Sequence, residues 1–466
     1  MSRNQGITNA PSVLFVTTVA STLEAFLLPF ASALRAEGSQ VDALAADAAD
    51  YPGIAEEFDQ RFNIGWSRST SSLLHYPRLA RELRELVARE DYDTIWVHTP
   101  IAALVTRAAL RKVKIDPATP NRQRAGSARP THESELAADS RKQNNTARNE
   151  WSLGRRREAC RAIVLEPREN EPSGHSGAPK IIYTAHGFHF YRGGHPAPQQ
   201  WFYRLAERLA LRWTDVLVVM NDEDEAAAQR WFKRSRKRCE LARINGIGID
   251  STAWAPRALD DGREEELRER FQIPMGSFVI TMIAEMNENK RHLLLIEALA
   301  QLRHEHSLPW MRLLLIGQGS LESELRELVA TRDLDEQVIF TGQLPASELH
   351  ELLALTNVGM LVSEREGLPR SLMEMCASGV LLAGTRTRGI IDEIADERAL
   401  AEEATAPALA NLIKKLAHDP SLRAEIAQKQ FALLQEHYEL SHILPQYLEL
   451  LNPLLSDTKR EATRHC

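Results

Sequence analysis

The segment Val358-Gly359-Met360-Leu361-Val362-Ser363-Glu364-Arg365-Glu366-Gly367-Leu368-Pro369-Arg370-Ser371-Leu372-Met373-Glu374 passes from an apolar run into a helical pattern within one turn. Val358–Val362 reads as a buried strand. Pro369 suits the first turn of a helix, where its missing N–H costs nothing, and Gly379 supplies the helix end. Gly367 then falls in a strand-to-helix turn, where the backbone passes close to a ligand. The helix start offers free N–H groups and a partial positive charge, a natural seat for a diphosphate. Glu366 lies at the mouth of that turn and Glu374 about two helical turns on. Two acceptors so spaced can hold two polyol groups of one extended ligand, a sugar near the phosphate and a ribose further away. Without the strand, turn and proline, the same two glutamates would read as a solvated helix face.

Outward from this segment, short apolar runs alternate with helical patterns. The first series of strands is expected at Val13–Thr17, Val41–Leu44, Thr94–His98, Ile181–Thr184 and Val216–Met220. A second follows at Phe278–Ile283, Arg312–Ile316, Val338–Thr341, Val358–Val362 and Val380–Gly384. Near-continuous apolar strands separated by helices imply parallel sheets covered on both faces. The fold class is therefore α/β, with two Rossmann-like doubly wound domains facing a cleft. The expected division is 1–250 and 251–430, with a helix packing back and a polar tail over 431–466. One stretch breaks the pattern: about 117–179 is polar, lacks the apolar residues to offset its ordering, and reads as a largely disordered insertion. It clusters Arg155, Arg156, Arg157 and Arg161, and a second basic run spans Phe232–Arg238. Both read as solvated segments or as contacts for anionic lipid headgroups, and the second also as a contact for an acceptor diphosphate.

The chain has 466 residues, 43% hydrophobic and 26% charged, with a net charge of −7. That is ordinary globular composition and argues against a dedicated nucleic-acid binder. Its four cysteines are scattered, which fits a reducing compartment and excludes a structural zinc module. The polar start shows no signal peptide, and no apolar run nears the roughly 20 residues that span a bilayer. A cytoplasmic protein is expected, peripheral at most on the inner membrane face. The turn after the first strand, Val19-Ala20-Ser21-Thr22, lacks G-x-G-x-x-G, which argues against a nicotinamide or flavin enzyme. Asp222-Glu223-Asp224 has a metal-binding look, but it opens a helix after a strand, so capping is the simpler account. No metal and no cofactor are expected.

The segment Glu366–Glu374 resembles the E-G-[FL]-P-x-x-x-x-E signature of glycosyltransferase family 4, whose fold is called GT-B. Tyr183-Thr184-Ala185-His186-Gly187-Phe188-His189-Phe190 and Asn245-Gly246-Ile247-Gly248-Ile249-Asp250 are similar to segments of its bacterial branch that builds capsule, exopolysaccharide and lipid-linked glycans. The resemblance covers nearly the whole chain apart from the insertion. It implies a retaining hexosyltransferase, Glu366 on the donor sugar, Glu374 on the ribose, and His186 reaching the donor across the cleft. It implies donor contacts from Lys290, Arg291, Gly367, Leu368 and Gly317, with His189 and Phe190 on the acceptor side. The family's second basic residue on the diphosphate falls at Glu285, a departure from the generic pattern. The donor it implies is a nucleotide-sugar, UDP-linked by family weight, and the acceptor a glycan or polyprenyl-diphosphate-linked sugar. Alternatives are a non-catalytic nucleotide-sugar-binding partner of a glycan assembly complex, or another GT-B chemistry such as a phosphorylase or epimerase. Gly317-Gln318-Gly319, after a strand, reads equally as a tight turn or as backbone near the donor.

Overall fold

The computed structural model describes residues 11–66, 76–110, 179–188, 197–232, 239–306 and 308–452. The expected insertion (apart from its last residue), its arginines, His189, Phe190, all of the basic run after Phe232 and the polar tail lie outside these residues.

The first domain holds seven parallel strands: β1 (Ser12–Val16), β2 (Gln40–Ala45), β3 (Gln60–Asn63), β4 (Thr94–Val97), β5 (Lys180–Ala185), β6 (Val216–Val219) and β7 (Glu240–Arg243). Their spatial order is β3-β2-β1-β4-β5-β6-β7. The second domain holds β8 (Phe278–Ile283), β9 (Met311–Ile316), β10 (Val338–Gly342), β11 (Val358–Leu361) and β12 (Leu381–Gly384), in the order β10-β9-β8-β11-β12. Each order reverses direction once, between β1 and β4 and between β8 and β11. In open α/β sheets ligands bind at these reversals, outside the carboxyl ends of the strands.

Central strands such as Val13–Val16, Ile182 and Leu313–Leu315 are wholly buried, because helices cover both faces. The edge strands β3 and β7 are half-exposed, with sequences QRFN and ELAR. The first sheet has a separate apolar core on each face, and the second domain has one continuous core.

The chain crosses between the domains twice. Gly246 and Gly248 take left-handed backbone in the first crossing, with φ of 75° and 74°. A side chain at Gly246 would collide with Leu368, and one at Gly248 with Leu440. In the second crossing the helix Pro420–His437 packs on the second domain, and Leu440–Leu451 returns to the first. Ile443, Tyr447 and Leu451 are buried in the first domain's core, and Tyr447 packs edge-to-face on Phe30 and at a tilt on Trp96. The Tyr447 hydroxyl donates to the Gly246 carbonyl at 3.0 Å, so the two crossings brace each other.

Candidate active site

The loops after β8 and β11 flank the second domain's reversal. Asn287 caps the short turn Glu288–Lys290 after β8, accepting from the Lys290 N–H. This turn presents the Lys290 ammonium, which donates to Glu366 Oε1 at 2.6 Å. Both side chains are largely buried. The turns are tied through backbone as well: the Glu364 N–H donates to the Asn289 carbonyl, and Asn289 Nδ2 to the Arg365 carbonyl. An ammonium carries three protons, so pairing with Glu366 leaves two for other acceptors at the same place.

Pro369 stands at the N-cap, one residue before the helix Arg370–Ala377, rather than within its first turn. Among the described residues no side chain caps this helix, so its first N–H groups are left without an intrahelical or capping partner. Glu374 accepts from Arg370 Nε at 2.8 Å, and burial pushes its carboxyl up against the opposing pull of Arg370. The Arg370 guanidinium lies 5.5 Å from the ring centre of Phe26 in the first domain. Gly379 follows the helix with φ of 80°, the left-handed residue expected at its end.

From the first domain, His186 follows β5 and faces this turn. Its Nε2 lies 2.8 Å from Nδ1 of His98, which follows β4. His98 is fully buried, and its Nε2 has no hydrogen-bond partner among the described residues. Burial lowers His98 well below the usual imidazole range, and His186 alongside it to about 4, so both rings are neutral near pH 7. One proton joins them. If His98 Nδ1–H donates, no N–H is orphaned; the reverse would bury an unpaired His98 Nε2–H. His186 Nε2 is then the acceptor, and the ring's own proton sits on Nδ1. In that tautomer the remaining ring nitrogen of His186 is an N–H donor rather than a base.

The two domains touch backbone to backbone here. A Cβ built on Gly367 would lie 1.9 Å from the His186 carbonyl oxygen, and one on Gly187 would lie 3.0 Å from Gly367 Cα. Gly389, behind the turn, is equally confined: its Cβ would lie 2.5 Å from the Gly367 carbonyl. Beside this contact opens a cleft of about 470 Å³, lined by Arg204 and Glu223 from the first domain and Glu364, Arg365 and Arg386–Arg388 from the second. The Arg365 Nε is buried without a partner among the described residues.

The structure thus brings Lys290, Glu366, Gly367 and His186 together, with Glu374 on the helix that follows. Arg291 sits in left-handed backbone with its guanidinium 4.0 Å from Glu364, behind the turn. Leu368 packs against Gly246. Gly317 and Gly319 have a different reason to be glycine: side chains there would strike the carbonyls of Ala284 and Met286, each at 2.3 Å. The space they leave is filled by the loop before Lys290. Glu285 is exposed on that loop.

Sequence reasoning missed His98, Arg370, Arg388 and Asp224. Asn221 makes the cap expected of the Asp222–Asp224 segment, accepting from the Asp224 N–H at 2.9 Å. Asp224 itself is wholly buried and paired with Arg388 of the other domain at 2.6 Å. Both His98 and Arg388 follow the carboxyl ends of strands, and that position was the signal available.

Residues 263–431 match the family model described as Glycosyl transferases group 1. Over 97% of its length the chain is 26% identical to the putative glycosyltransferase EpsD of Bacillus subtilis, covering 99% of that protein. Over 42% it is 26% identical to the N-acetyl-alpha-D-glucosaminyl L-malate synthase of Bacillus anthracis, covering half of it. Among solved structures, HepE of Anabaena in complex with UDP and glucose superposes with a TM-score of 0.64 at 16% identity, over 95% of this chain and 99% of that one. The sucrose-phosphate synthase of Thermosynechococcus elongatus does so with 0.66 at 16%, over 96% and 100%. These neighbours fix the fold as GT-B.

Proposed function

We propose that this chain is a retaining glycosyltransferase that moves a hexose or N-acetylhexosamine from a UDP-sugar to a glycan or polyprenyl-diphosphate-linked acceptor. The observation that carries the reading is the Lys290–Glu366 pair at the reversal of the second sheet, beside an uncapped helix start and within one helix of Glu374. In this reading the Lys290 ammonium and the Arg370 and Ser371 N–H groups hold the diphosphate, Glu374 holds the ribose and Glu366 the sugar. His186, as an N–H donor, fixes a sugar oxygen from the other domain. A front-face displacement then needs no protein base, because the leaving diphosphate takes the acceptor's proton. Catalysis rests on closure and on stabilising the charge that develops on the diphosphate.

The arginine-lined cleft suits an acceptor carrying phosphate. Helix Ala197–Ala210 exposes Trp201, Leu205 and Leu209 in a row, with Arg204 and Arg208 beside them. That mixture supports a peripheral seat on an anionic bilayer. Among the described residues no helix is long and apolar enough to cross a membrane.

Titration with UDP, GDP, CDP and ADP tests the donor assignment. UDP should bind most tightly, and Lys290→Ala should weaken it at least tenfold. Equal binding of all four nucleotides, or an unaffected variant, would remove the basis for this reading.

A further inference from the structure

One guanidinium joins three segments from two domains. Arg388 lies between β12 and the helix Ile390–Ile394. Its Nη1 donates to Asp224 Oδ1 at 2.6 Å, its Nη2 to the Phe188 carbonyl at 3.2 Å, and its Nε to the Glu366 carbonyl at 3.2 Å. The other Asp224 oxygen accepts from the Phe188 N–H at 3.2 Å and from Asn221 Nδ2 at 3.1 Å. Phe188 is therefore gripped on its N–H by the carboxylate and on its carbonyl by the guanidinium. The third arm of Arg388 holds the main chain of the donor turn itself.

The glycine contacts give this junction its closeness. Gly187, between His186 and Phe188, leaves room for Arg388 Nη2, which would lie 3.3 Å from a Cβ there. Gly389, next to Arg388, backs the Gly367 carbonyl. The Asp224 carboxylate is fully buried and the Arg388 side chain 15% exposed. A buried carboxylate is tolerated only while its counter-charge and hydrogen bonds are in place. In an opened cleft, water would replace Arg388 around Asp224, so the pair belongs to the closed arrangement.

We propose that Arg388 and Asp224 form an interdomain clasp, with Arg388 a positioning residue that sets the donor turn Glu366–Gly367 against the His186 loop. The clasp acts through Glu366 and His186, aligning the half-sites that each domain contributes. Its kinetic consequence rests on the transferase reading above; its effect on domain closure does not.

The test is a double-mutant cycle of R388Q and D224N, read in kcat with the UDP-sugar that supports turnover, in UDP affinity, and in small-angle X-ray scattering. Each single variant should lower kcat about 100-fold, as expected for a shift of about 1 Å between reacting parts. The double variant should be no worse than either single one, and UDP affinity should stay within twofold because the second domain alone binds the nucleotide. Both singles should show a larger radius of gyration than wild type in the presence of UDP. R388K, with one ammonium in place of a three-armed donor, should recover less than a tenth of the loss and serves if R388Q does not fold. A double variant that multiplies the two losses, or scattering identical to wild type, would overturn the clasp. A wild type that neither binds UDP nor transfers sugar would defeat the transferase reading only, and scattering without nucleotide would still decide the clasp.

Discussion

Replacing Gly367 with alanine adds one methyl group at the contact between the domains. No left-handed backbone is required at this residue, so alanine can adopt its conformation and the cost is steric. The new Cβ would sit 1.9 Å from the His186 carbonyl oxygen, 2.7 Å from its carbon and 3.3 Å from the Gly187 nitrogen, all main-chain atoms. Restoring the first contact to 3.0 Å, the closest that real Cβ atoms approach, needs a displacement of about 1.1 Å. Retreat of the turn into its own domain is limited, because Gly389 lies so near the Gly367 carbonyl that a Cβ there would come within 2.5 Å of it. The domains must therefore part. A misplacement of about 1 Å costs roughly 100-fold in rate, or about 2.7 kcal/mol of barrier. Neither domain's core lies at this contact, so the melting temperature should move by no more than about 2 °C. Initial-rate sugar transfer, UDP titration and thermal unfolding on the same preparation would read all three effects. Gly262→Ala is the control, since the nearest neighbour of its Cβ is Asp260 Oδ1 at an ordinary 3.5 Å. Wild-type kcat in Gly367→Ala, or joint loss of folding and UDP binding, would refute the reasoning.

Three further outcomes are expected. Glu374→Gln removes the negative charge opposite Arg370 and turns one acceptor oxygen into an amide donor, so UDP should bind about tenfold more weakly by calorimetry while kcat falls less. His98→Phe deprives His186 Nε2 of its donor; kcat/KM should fall about tenfold, and nitrogen NMR should show the His186 proton moving from Nδ1 to Nε2. His292 is buried with neither ring nitrogen paired among the described residues, and burial with the nearby Lys290 charge lowers it to about 4. The unfolded chain takes a proton near pH 6.5 and the folded chain only near 4, so stability is lost as pH falls through that window. His292→Leu should remove roughly 2–3 kcal/mol of that loss by pH 4.5, measured as urea unfolding at pH 7 and 4.5.

Much of this architecture was legible because buried parallel strands announce themselves as apolar runs. β8 falls on Phe278–Ile283 as expected, and Glu366 was singled out because it follows such a run, whereas Lys290 was named only through the family resemblance. The edge strands β3 and β7 were not found, since QRFN and ELAR carry little apolar signal at a sheet margin. The His98–His186 bond depends on β4 lying beside β5, an adjacency that local periodicity does not encode. Arg388 and Asp224 are 164 residues apart and meet only when the domains dock, so neither looks special in its own segment. Gly317 was found for a reason the structure does not require, because confinement by the Ala284 carbonyl already explains it.

Transfer of a sugar from a nucleotide donor through Glu366 would be read by radiolabel transfer. A panel of labelled UDP-sugars would be incubated with a membrane-lipid extract and either the wild-type chain or Glu366→Ala. The account predicts that label from one donor enters the lipid fraction with wild type and that the variant loses this transfer. Saturable UDP binding with no transfer from any donor, or transfer that survives Glu366→Ala, would contradict it.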